Sequence, residues 1–288
     1  MTALPKEYLQ AIDGYALTQE PKLRVHHVSK IFEQKGQTIT ALEDTTFDVQ
    51  DGEFVTILGP SGCGKSTILK IIAGLTEPSS GHVTINSHHI QGPGSDRGMV
   101  FQAYTLFPWL TVEQNIAFGL QLKGMPKAQR KEIVGHYLQL IGLHGFGAMY
   151  PSNLSGGMKQ RVAIARALAN DPEVLLMDEP FGALDAQTRT VMQELLLNVW
   201  GKSQKTILFV THDIDEAIFM GDRVYVMTAR PGCLKAEISI PIPRPREFSV
   251  KTSPLFMRLK AEILELIREE SWKAASEVGS GNWPHSLP

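Results

Sequence analysis

The eight residues from Gly59 to Ser66 constrain the fold of this chain more than any other segment. They read Gly-Pro-Ser-Gly-Cys-Gly-Lys-Ser and fit the pattern G-x-x-x-x-G-K-[ST]. An apolar run typical of a buried strand, Phe54 to Leu58, precedes them, and a helical stretch from Thr67 to Ala73 follows. In this setting the backbone N–H groups of a glycine-rich loop close around phosphate oxygens at a helix N-terminus. The sequence therefore predicts an α/β fold with a phosphate-binding loop.

The side chains at the end of the loop complete the predicted phosphate site. Lys65 can reach the β- and γ-phosphates, the Ser66 hydroxyl can ligate Mg²⁺, and Thr67 can donate one more hydrogen bond to phosphate. A glycine-rich turn that matches by chance is the other interpretation, and the flanking strand and helix argue against it. The predicted nucleotide-binding residues of this segment are Gly59, Pro60, Ser61, Gly62, Cys63, Gly64, Lys65, Ser66 and Thr67.

A second apolar run ends in two carboxylates. Val174 to Met177 is apolar throughout, and Asp178 and Glu179 follow it. Such runs are typical of parallel strands that are covered by helices on both faces. By itself this pattern is weak, because many strands leave the core in this way. Together with the loop at Gly59 it predicts that Asp178 orients the Mg²⁺ shell and that Glu179 positions and deprotonates an attacking water.

A second candidate anion site precedes the helical stretch from Met158 to Ala169. The segment Leu154 to Gln160 contains Ser155, Gly156 and Gly157, and a hydroxyl, exposed N–H groups and the helix dipole together favour a phosphate. As an isolated string, Ser-Gly-Gly before a helix is more often a simple cap and turn. Because the first loop already holds a nucleoside triphosphate, the second site lacks a ligand unless another subunit presents one.

With these motifs the chain resembles the ATP-binding subunits of ABC transporters. The resemblance covers most of Leu23 to Met227 and includes, in the family's order, the Walker A loop, the Gln-loop at Gln102, the signature segment, Walker B, the D-loop with Asp185, and the switch residue His212. It implies a P-loop NTPase with a RecA-like core, an antiparallel β subdomain and an α-helical signature subdomain. It also implies that Glu179, His212 and Gln102 are catalytic, that Gln102 senses Mg²⁺, and that Asp185 contributes to the nucleotide site.

Phe32 and His212 are the two predicted site residues with aromatic side chains. Phe32 matches the aromatic residue that stacks on adenine in the family, and the alternative is an ordinary core phenylalanine. His212 follows the predicted strand Ile207 to Val210 and precedes Asp213, whose spacing to Glu216 fits a capping box. This spacing predicts that His212 is held at the end of the sheet, facing the nucleotide.

The predicted division of the chain is an N-terminal extension at 1–20, an ABC ATP-binding domain at 21–245, and a C-terminal helix and tail at 246–288. The helical subdomain is expected at about 103–170, with a helix between Pro126 and Leu143. Met192, Leu195, Leu196 and Val199 mark another amphipathic helix, and Gly201 is placed to end it. An amphipathic helix at Phe256 to Ile267 is expected to pack on its own domain, with a frayed chain after Trp272.

The resemblance also implies partners. Two such subunits dimerise head to tail with ATP between one subunit's Gly59 loop and its partner's Ser155 segment, so the partner is a second copy or a homologue. Transmembrane permease subunits would dock beside Phe107-Pro108-Trp109, which otherwise packs inside the helical subdomain. Within the family, the chain resembles the importers of nitrate or nitrite, sulfonate or taurine, and bicarbonate. The ATP-binding subunits of such importers lie on the cytoplasmic face of the bacterial inner membrane, and a periplasmic or lipoprotein solute-binding protein delivers the solute.

Composition and charge exclude several other classes of protein. The 28 basic and 30 acidic residues give a net charge of -2, which argues against a broad nucleic-acid-binding surface. The 2 cysteines have no spacing partners for a metal or redox site and exclude a disulfide scaffold. No apolar run approaches the roughly 18 residues of a membrane span, so an exporter with a fused membrane domain is disfavoured. A soluble ABC ATPase acting on DNA or ribosomes stays as the alternative, whereas a kinase or GTPase does not explain Ser155.

Overall fold

A computed structural model describes residues 20–34 and 36–278, so the predicted extension at 1–20 lies almost wholly outside the described residues. The described strands are β1 (Leu23–Gln34), β2 (Gln37–Val49), β3 (Phe54–Leu58), β4 (Ser80–Ile85), β5 (His88–His89), β6 (Arg97–Val100), β7 (Val174–Asp178), β8 (Thr206–Thr211), β9 (Arg223–Met227) and β10 (Leu234–Ser239). The described α-helices are α1 (Lys65–Ile72), α2 (Val112–Leu122), α3 (Lys127–Leu140), α4 (Gly156–Ala169), α5 (Ala186–Ser203), α6 (Ile214–Met220) and α7 (Pro254–Val278).

The central sheet has six strands in the order β10-β9-β3-β8-β7-β6, and all neighbours except β10 and β9 are parallel. Every residue of β3, β7 and β8 is buried, as expected for strands covered on both faces. Leu58 pairs with Thr211, and Asp178 pairs with Val210. The carboxyl ends of these three strands therefore meet at one edge of the sheet.

A second, antiparallel sheet covers part of the central one, with the strand order β2-β1-β4-β5. The predicted hairpin near the start of the chain is present, but its strands reach Gln34 and begin again at Gln37. Helix α1 lies between the two sheets, where Ile68 and Ile72 join a core that includes Val25 and Val55. Burial between two layers of this kind is the main source of stability in such folds.

The opposite face of the central sheet packs against α5, α6 and α7. Phe54 and Phe209 point to this side, and Phe256, Leu259 and Ile263 of α7 join the same cluster. The C-terminal helix thus packs on its own domain, as its pattern predicts. It also continues to Val278, so the expected fraying directly after Trp272 is wrong. Within residues 20–34 and 36–278, no helix is both long and apolar enough to span a membrane.

Helices α2, α3 and α4 form a separate apolar cluster, to which each contributes buried side chains such as Ile116, Leu138 and Val162. The helix predicted between Pro126 and Leu143 is α3, with Pro126 at its N-cap. Helix α2 is absent from the sequence predictions. Its start was nonetheless encoded, because Thr111 and Gln114 form a complete capping box.

Two other sequence predictions need correction. Gly201 does not end its helix, because α5 continues to Ser203 and Gln204 takes the left-handed conformation at φ 48. The backbone N–H of Gln204 donates to Trp200 O at 2.7 Å, and the Trp200 indole donates to Lys205 O at 2.8 Å. Tertiary anchoring of Trp200 therefore overrides the preference for glycine at this end. Strand β10 is absent from the sequence predictions as well. It pairs with β9 at the edge of the central sheet, and its own sequence has no apolar pattern typical of a buried strand.

Arg246 secures the proline-rich segment that leads from β10 to α7. Its guanidinium is buried and donates to Ile218 O and Phe219 O in the last turn of α6, at 3.0 and 3.1 Å, and to Gly221 O directly after the helix, at 2.7 Å. It also donates to Ile242 O at 3.1 Å. Burial, followed by the nearby Arg244, lowers the pKa of Arg246 to about 10, which still leaves it charged at neutral pH. One cation thus caps α6 and fixes the chain that follows the sheet.

We expect Arg246→Met to lower the free energy of unfolding by at least about 3 kcal/mol, because the substitution leaves several buried carbonyls without donors. Urea unfolding followed by circular dichroism measures this change. Arg24→Met, at an exposed arginine of β1, serves as the control and should change stability by less than about 0.5 kcal/mol. Equal stability of the Arg246 variant and the wild type would contradict this role.

Candidate functional site

A cleft of about 470 Å³ opens at the edge where β3 ends. Side chains of β1 and β2 line one side of it, and the phosphate-binding loop, α1 and residues that follow β6, β7 and β9 line the other. Its lining residues are Phe32, Ile39, Ala41, Ser61, Gly62, Gly64, Lys65, Ser66, Thr67, Gln102, Glu179 and Arg230. Phe32 and most residues of the predicted phosphate-binding loop therefore surround one cavity. Such a cavity is large enough for a small-molecule ligand.

The conformation of the loop from Gly59 to Ser66 depends on glycine. Gly64 has φ +103, and a Cβ atom there would lie 2.6 Å from a Leu42 side-chain carbon and 2.8 Å from Ala41 O. No other residue type fits this position. Lys65 is 5% exposed, and its ammonium donates to Gly59 O at 2.8 Å and to Pro60 O at 2.9 Å. The loop thus curls around its own lysine at the N-terminus of α1.

Ser66 and Asp178 meet across the sheet. The Ser66 hydroxyl donates to Asp178 Oδ1 at 2.9 Å. Burial raises the pKa of Asp178 above its ordinary value, which outweighs the effect of the Ser66 hydrogen bond. The Ser66 hydroxyl oxygen and the Asp178 carboxylate oxygen thus lie side by side, and oxygen ligands of this kind are the ones that Mg²⁺ prefers. Within the described part of the chain, no group of three His, Cys, Asp or Glu side chains could hold a metal ion by itself.

Glu179 lies at the centre of the predicted catalytic set. Gln102 Nε2 donates to Glu179 Oε2 at 3.2 Å, and His212 Nδ1 lies 3.2 Å from the same oxygen. The Glu179 backbone has φ 43, a left-handed conformation that is uncommon for glutamate, and its N–H donates to Val210 O at 3.0 Å. The sheet thus holds the carboxylate in a fixed direction. The structure brings together the three side chains that the sequence assigned to catalysis.

A buried polar network lies beneath His212. Glu216 accepts hydrogen bonds from the Thr211 hydroxyl and from Gln193 Nε2, the latter at 2.9 Å. Asp213 Oδ1 accepts from Glu216 N at 3.0 Å and caps α6. The predicted capping box is therefore only half formed, because the Glu216 side chain turns inward instead of returning to the cap. This arrangement fixes the turn between β8 and α6 that carries His212.

Ser155 and Asp185 lie outside the cleft. The Ser155 hydroxyl accepts from Met158 N at 3.3 Å and caps α4, while Asp185 accepts from Thr188 N at 3.0 Å and caps α5. The Thr188 N–H lowers the pKa of Asp185. A Cβ atom at Gly157 would lie 2.7 Å from Thr188 Cγ2, so the two caps lie close to each other. Within one chain, these residues form a second surface rather than part of the first site.

Phe32 is not a core phenylalanine. It lies within β1, where it pairs with Ile39, and it is 40% exposed at the mouth of the cleft. The position fits a flat ligand group that stacks on the ring. Arg230, by contrast, was missed as a site residue. No periodicity or motif spacing marks it as a site residue, because it reaches the cleft from the loop between β9 and β10.

The aromatic segment after Gln102 is divided between core and surface. Phe107 packs against Phe118 with ring centroids 4.5 Å apart, and Asn115 holds its backbone through hydrogen bonds of 2.9 and 3.2 Å. Trp109 is 70% exposed and packs on Phe107 at 5.6 Å. Phe107 thus packs inside the helical layer, whereas Trp109 faces outward, and contact of this segment with a partner stays a prediction.

Comparison with known sequences identifies close relatives. A model of the ABC transporter family matches residues 42–182. An uncharacterized ABC transporter ATP-binding protein of Methanocaldococcus jannaschii is 52% identical over 88% of this chain and 94% of its own length. The nitrate import ATP-binding protein NrtD of Synechocystis is 45% identical over 90% and 99%. The aliphatic sulfonates import ATP-binding protein SsuB of Bacillus cereus is 49% identical over 83% and 92%.

Solved structures show the same similarity. A dimeric ATP-binding cassette in a post-hydrolysis state, bound to ADP and Pi, is 35% identical with a TM-score of 0.69. A dimeric bacterial ABC transporter cassette is also 35% identical, with a TM-score of 0.70. Each comparison covers 77% of this chain and 100% of the solved chain.

The network below His212 predicts a defined pH dependence of stability. Burial raises the pKa of Glu216, which outweighs the hydrogen bonds from Thr211 and Gln193. The folded chain therefore binds more protons than the unfolded chain above pH 4.5, and this group's contribution to stability falls as pH rises toward its folded pKa. In Glu216→Gln this pH-dependent loss of stability is absent. As pH rises, the free energy of unfolding of the variant should therefore increase relative to that of the wild type.

Urea unfolding at a series of pH values from about 4.5 upward measures this difference. Glu194→Gln, at an exposed glutamate of α5, is the matched control and should show a flat difference. If the difference between Glu216→Gln and wild type is also flat, Glu216 does not titrate differently in the folded state.

Proposed function

The chain belongs to the ABC transporter family as an ATP-binding ATPase subunit, and we propose that it powers the import of a small anion through separate permease subunits. The relatives named for nitrate and aliphatic sulfonate import support this proposal. Nitrate or nitrite, sulfonate or taurine, and bicarbonate are the candidate solutes. The observation that carries the proposal is the contact of Gln102 with Glu179, because it joins the reaction centre to an aromatic segment that begins five residues further along and exposes Trp109.

The arrangement around Glu179 supports a hydrolytic mechanism. We assign the carboxylate to the role of base, which accepts a proton from the water that attacks the terminal phosphate. His212 and Gln102 touch the same oxygen and hold it in position. Lys65 already directs its ammonium into the loop, where phosphate oxygens can replace the carbonyl oxygens as acceptors of its hydrogen bonds. Phe32 supplies a surface for the adenine ring.

The residues at the start of α1 and at the end of β7 fit Mg²⁺. We assign its protein contacts to Ser66, Gln102 and Asp178. Mg²⁺ usually keeps few protein ligands and completes its shell with waters and substrate phosphates, which agrees with the small number of oxygens present. When bound, the ion neutralises charge on the phosphates. The Ser66–Asp178 hydrogen bond holds both side chains ready for this role.

The separation of Ser155, Gly156, Gly157 and Asp185 from the cleft supports a composite site. These residues cap two helices on a surface of their own, and the N-terminus of α4 can accept an anion from outside the chain. We propose that a second copy or a homologous subunit presents its nucleotide there, head to tail. The dimeric state of the similar cassettes supports this assembly.

Trp109 is the proposed anchor for a permease subunit. Trp109 packs on Phe107 but is 70% exposed, and a large apolar side chain of this kind is costly to leave in water. Such residues often dominate interfaces. The helical layer at about 103–170 would carry this surface. The working complex would then lie on the cytoplasmic face of a bacterial inner membrane, with a periplasmic or lipoprotein solute-binding protein delivering the solute. The import names of the relatives favour this over a soluble ABC ATPase that acts on nucleic acid or ribosomes.

Replacing Glu179 with Gln should abolish turnover while ATP still binds. The amide keeps the shape of the carboxylate but accepts no proton, and loss of a positioned base typically lowers the rate by about 10²- to 10⁴-fold. Phosphate release measures turnover, and gel filtration with ATP detects a dimer that stays closed. Glu194→Gln, on the exposed face of α5, is the control. Hydrolysis by the Glu179 variant at the wild-type rate would contradict the assignment.

We expect Trp109→Ala to loosen or uncouple the complex with permease subunits. If the side chain is fully buried by the partner, its loss weakens association by about 2 kcal/mol or more, roughly 30-fold. Co-purification and ATPase activity stimulated by nitrate or a sulfonate in reconstituted vesicles measure the effect. Trp272→Ala removes another exposed tryptophan, on α7, and should leave both readouts unchanged. Normal assembly and stimulation in the Trp109 variant would place the permease contact elsewhere.

A further inference from the structure

Arg230 lines the cleft together with the phosphate-binding loop, although none of the established motifs contains it. Its Nη2 and Nε atoms donate to Gly62 O at 3.2 and 3.4 Å, at the long end of the range for hydrogen bonds. The residue is exposed, and no carboxylate of the described chain forms an ion pair with it. A guanidinium has five donors, so most of its capacity is unused at the rim of this cleft.

The segment that carries Arg230 is seated firmly on the loop. Gly232 N donates to Ala41 O at 3.1 Å, and Glu43 N donates to Gly232 O at 2.9 Å. A Cβ atom at Gly232 would lie 1.8 Å from Cys63 O, so the two loops touch through their backbones. The backbone of Arg230 is therefore fixed two residues from a direct contact with the phosphate-binding loop.

A buried carboxylate of the C-terminal helix holds the other side of this segment. Glu270 of α7 is 1% exposed, and its Oε2 accepts a hydrogen bond from Ala229 N at 2.9 Å. Lys235 and Lys273 lie 2.8 and 2.9 Å from its Oε1. Burial favours the neutral form, but the hydrogen bonds from Lys235 and Ala229 outweigh it and lower the pKa of Glu270 to about 2. The carboxylate is therefore charged at neutral pH.

We propose that Arg230 is a further nucleotide-binding residue, which donates to a phosphate oxygen of the bound nucleotide, and that Glu270 of α7 is its positioning residue. The inference rests on the proposed use of the cleft for ATP. The planar guanidinium fork matches phosphate geometry, and such charge-assisted hydrogen bonds are stronger than bonds to a neutral carbonyl. The phosphate would thus replace or join Gly62 O as an acceptor. Through Ala229, the C-terminal helix then sets the affinity of the cleft for nucleotide.

Nucleotide binding by the full chain tests the role of Arg230. A fluorescent ATP analogue is displaced by unlabelled ATP, ADP or adenosine. Arg230→Ala should raise the Kd of ATP and of ADP by about tenfold and leave competition by adenosine unchanged, while Arg230→Lys should show a smaller loss. Arg258→Ala, at an exposed arginine of α7, is the matched control. Wild-type affinity in Arg230→Ala, or an equal loss for adenosine, would overturn the phosphate contact.

A double-mutant cycle tests the role of Glu270. The amide oxygen of Glu270→Gln can still accept from Ala229 N but has no charge for Lys235, so we expect the Kd of ATP to rise several-fold in the wild-type background. In the Arg230→Ala background the same change should have no further effect. Additive losses would show that Glu270 acts independently of Arg230 and would overturn its positioning role. If Glu270→Gln does not fold, Glu270→Asp, which keeps the charge but shortens the side chain, replaces it in the cycle.

Lys65→Ala separates this inference from the proposed use of the cleft. If the wild type binds no ATP, or if Lys65→Ala binds it as well as the wild type does, the nucleotide site itself is wrongly placed. If Lys65→Ala weakens binding and Arg230→Ala does not, only the role of Arg230 fails.

Discussion

The parallel pairing of β3, β8 and β7 is the constraint on which the rest of the structure depends. Each of these strands is buried on both faces, and their register places Leu58 beside Thr211 and Asp178 beside Val210. Parallel strands end at the same edge, so the residues that follow them must meet there. The phosphate-binding loop, the two carboxylates and His212 are brought together by this register, although they come from distant parts of the sequence.

Buried polar contacts then convert this edge into a defined site. The carbonyls of Gly59 and Pro60 hold Lys65, Asp178 holds Ser66, and the backbone of Val210 fixes Glu179. In a low-dielectric setting each such bond is strong when satisfied, and an unpaired group is correspondingly costly. Contacts within the chain itself thus hold the side chains of the site, and polar groups fixed in this way limit the reorganisation needed for catalysis.

The region after β9 ties the C-terminal helix to the same edge. Arg246 caps α6 with its buried guanidinium, and Glu270 holds the loop that carries Arg230. Both contacts join a charged side chain to backbone groups that have lost water. Ile240 and Ile242 of the proline-rich segment are buried in the core, and the hydrogen bonds of Arg246 to backbone carbonyls fix the course of the segment beside them. Helix α7 is thus part of the same fold as the central sheet.

The sequence alone determined the local parts of the site. Strand, glycine-rich loop and helix are contiguous between Phe54 and Ile72, and the apolar run before Asp178 is equally local. Their order in the chain also identified the family and its P-loop NTPase fold, which the solved relatives confirm. Elements such as β10, the end of α5 at Gln204 and the place of Arg230 were decided by the tertiary structure. Each depends on a partner far along the chain, and no local pattern records that contact.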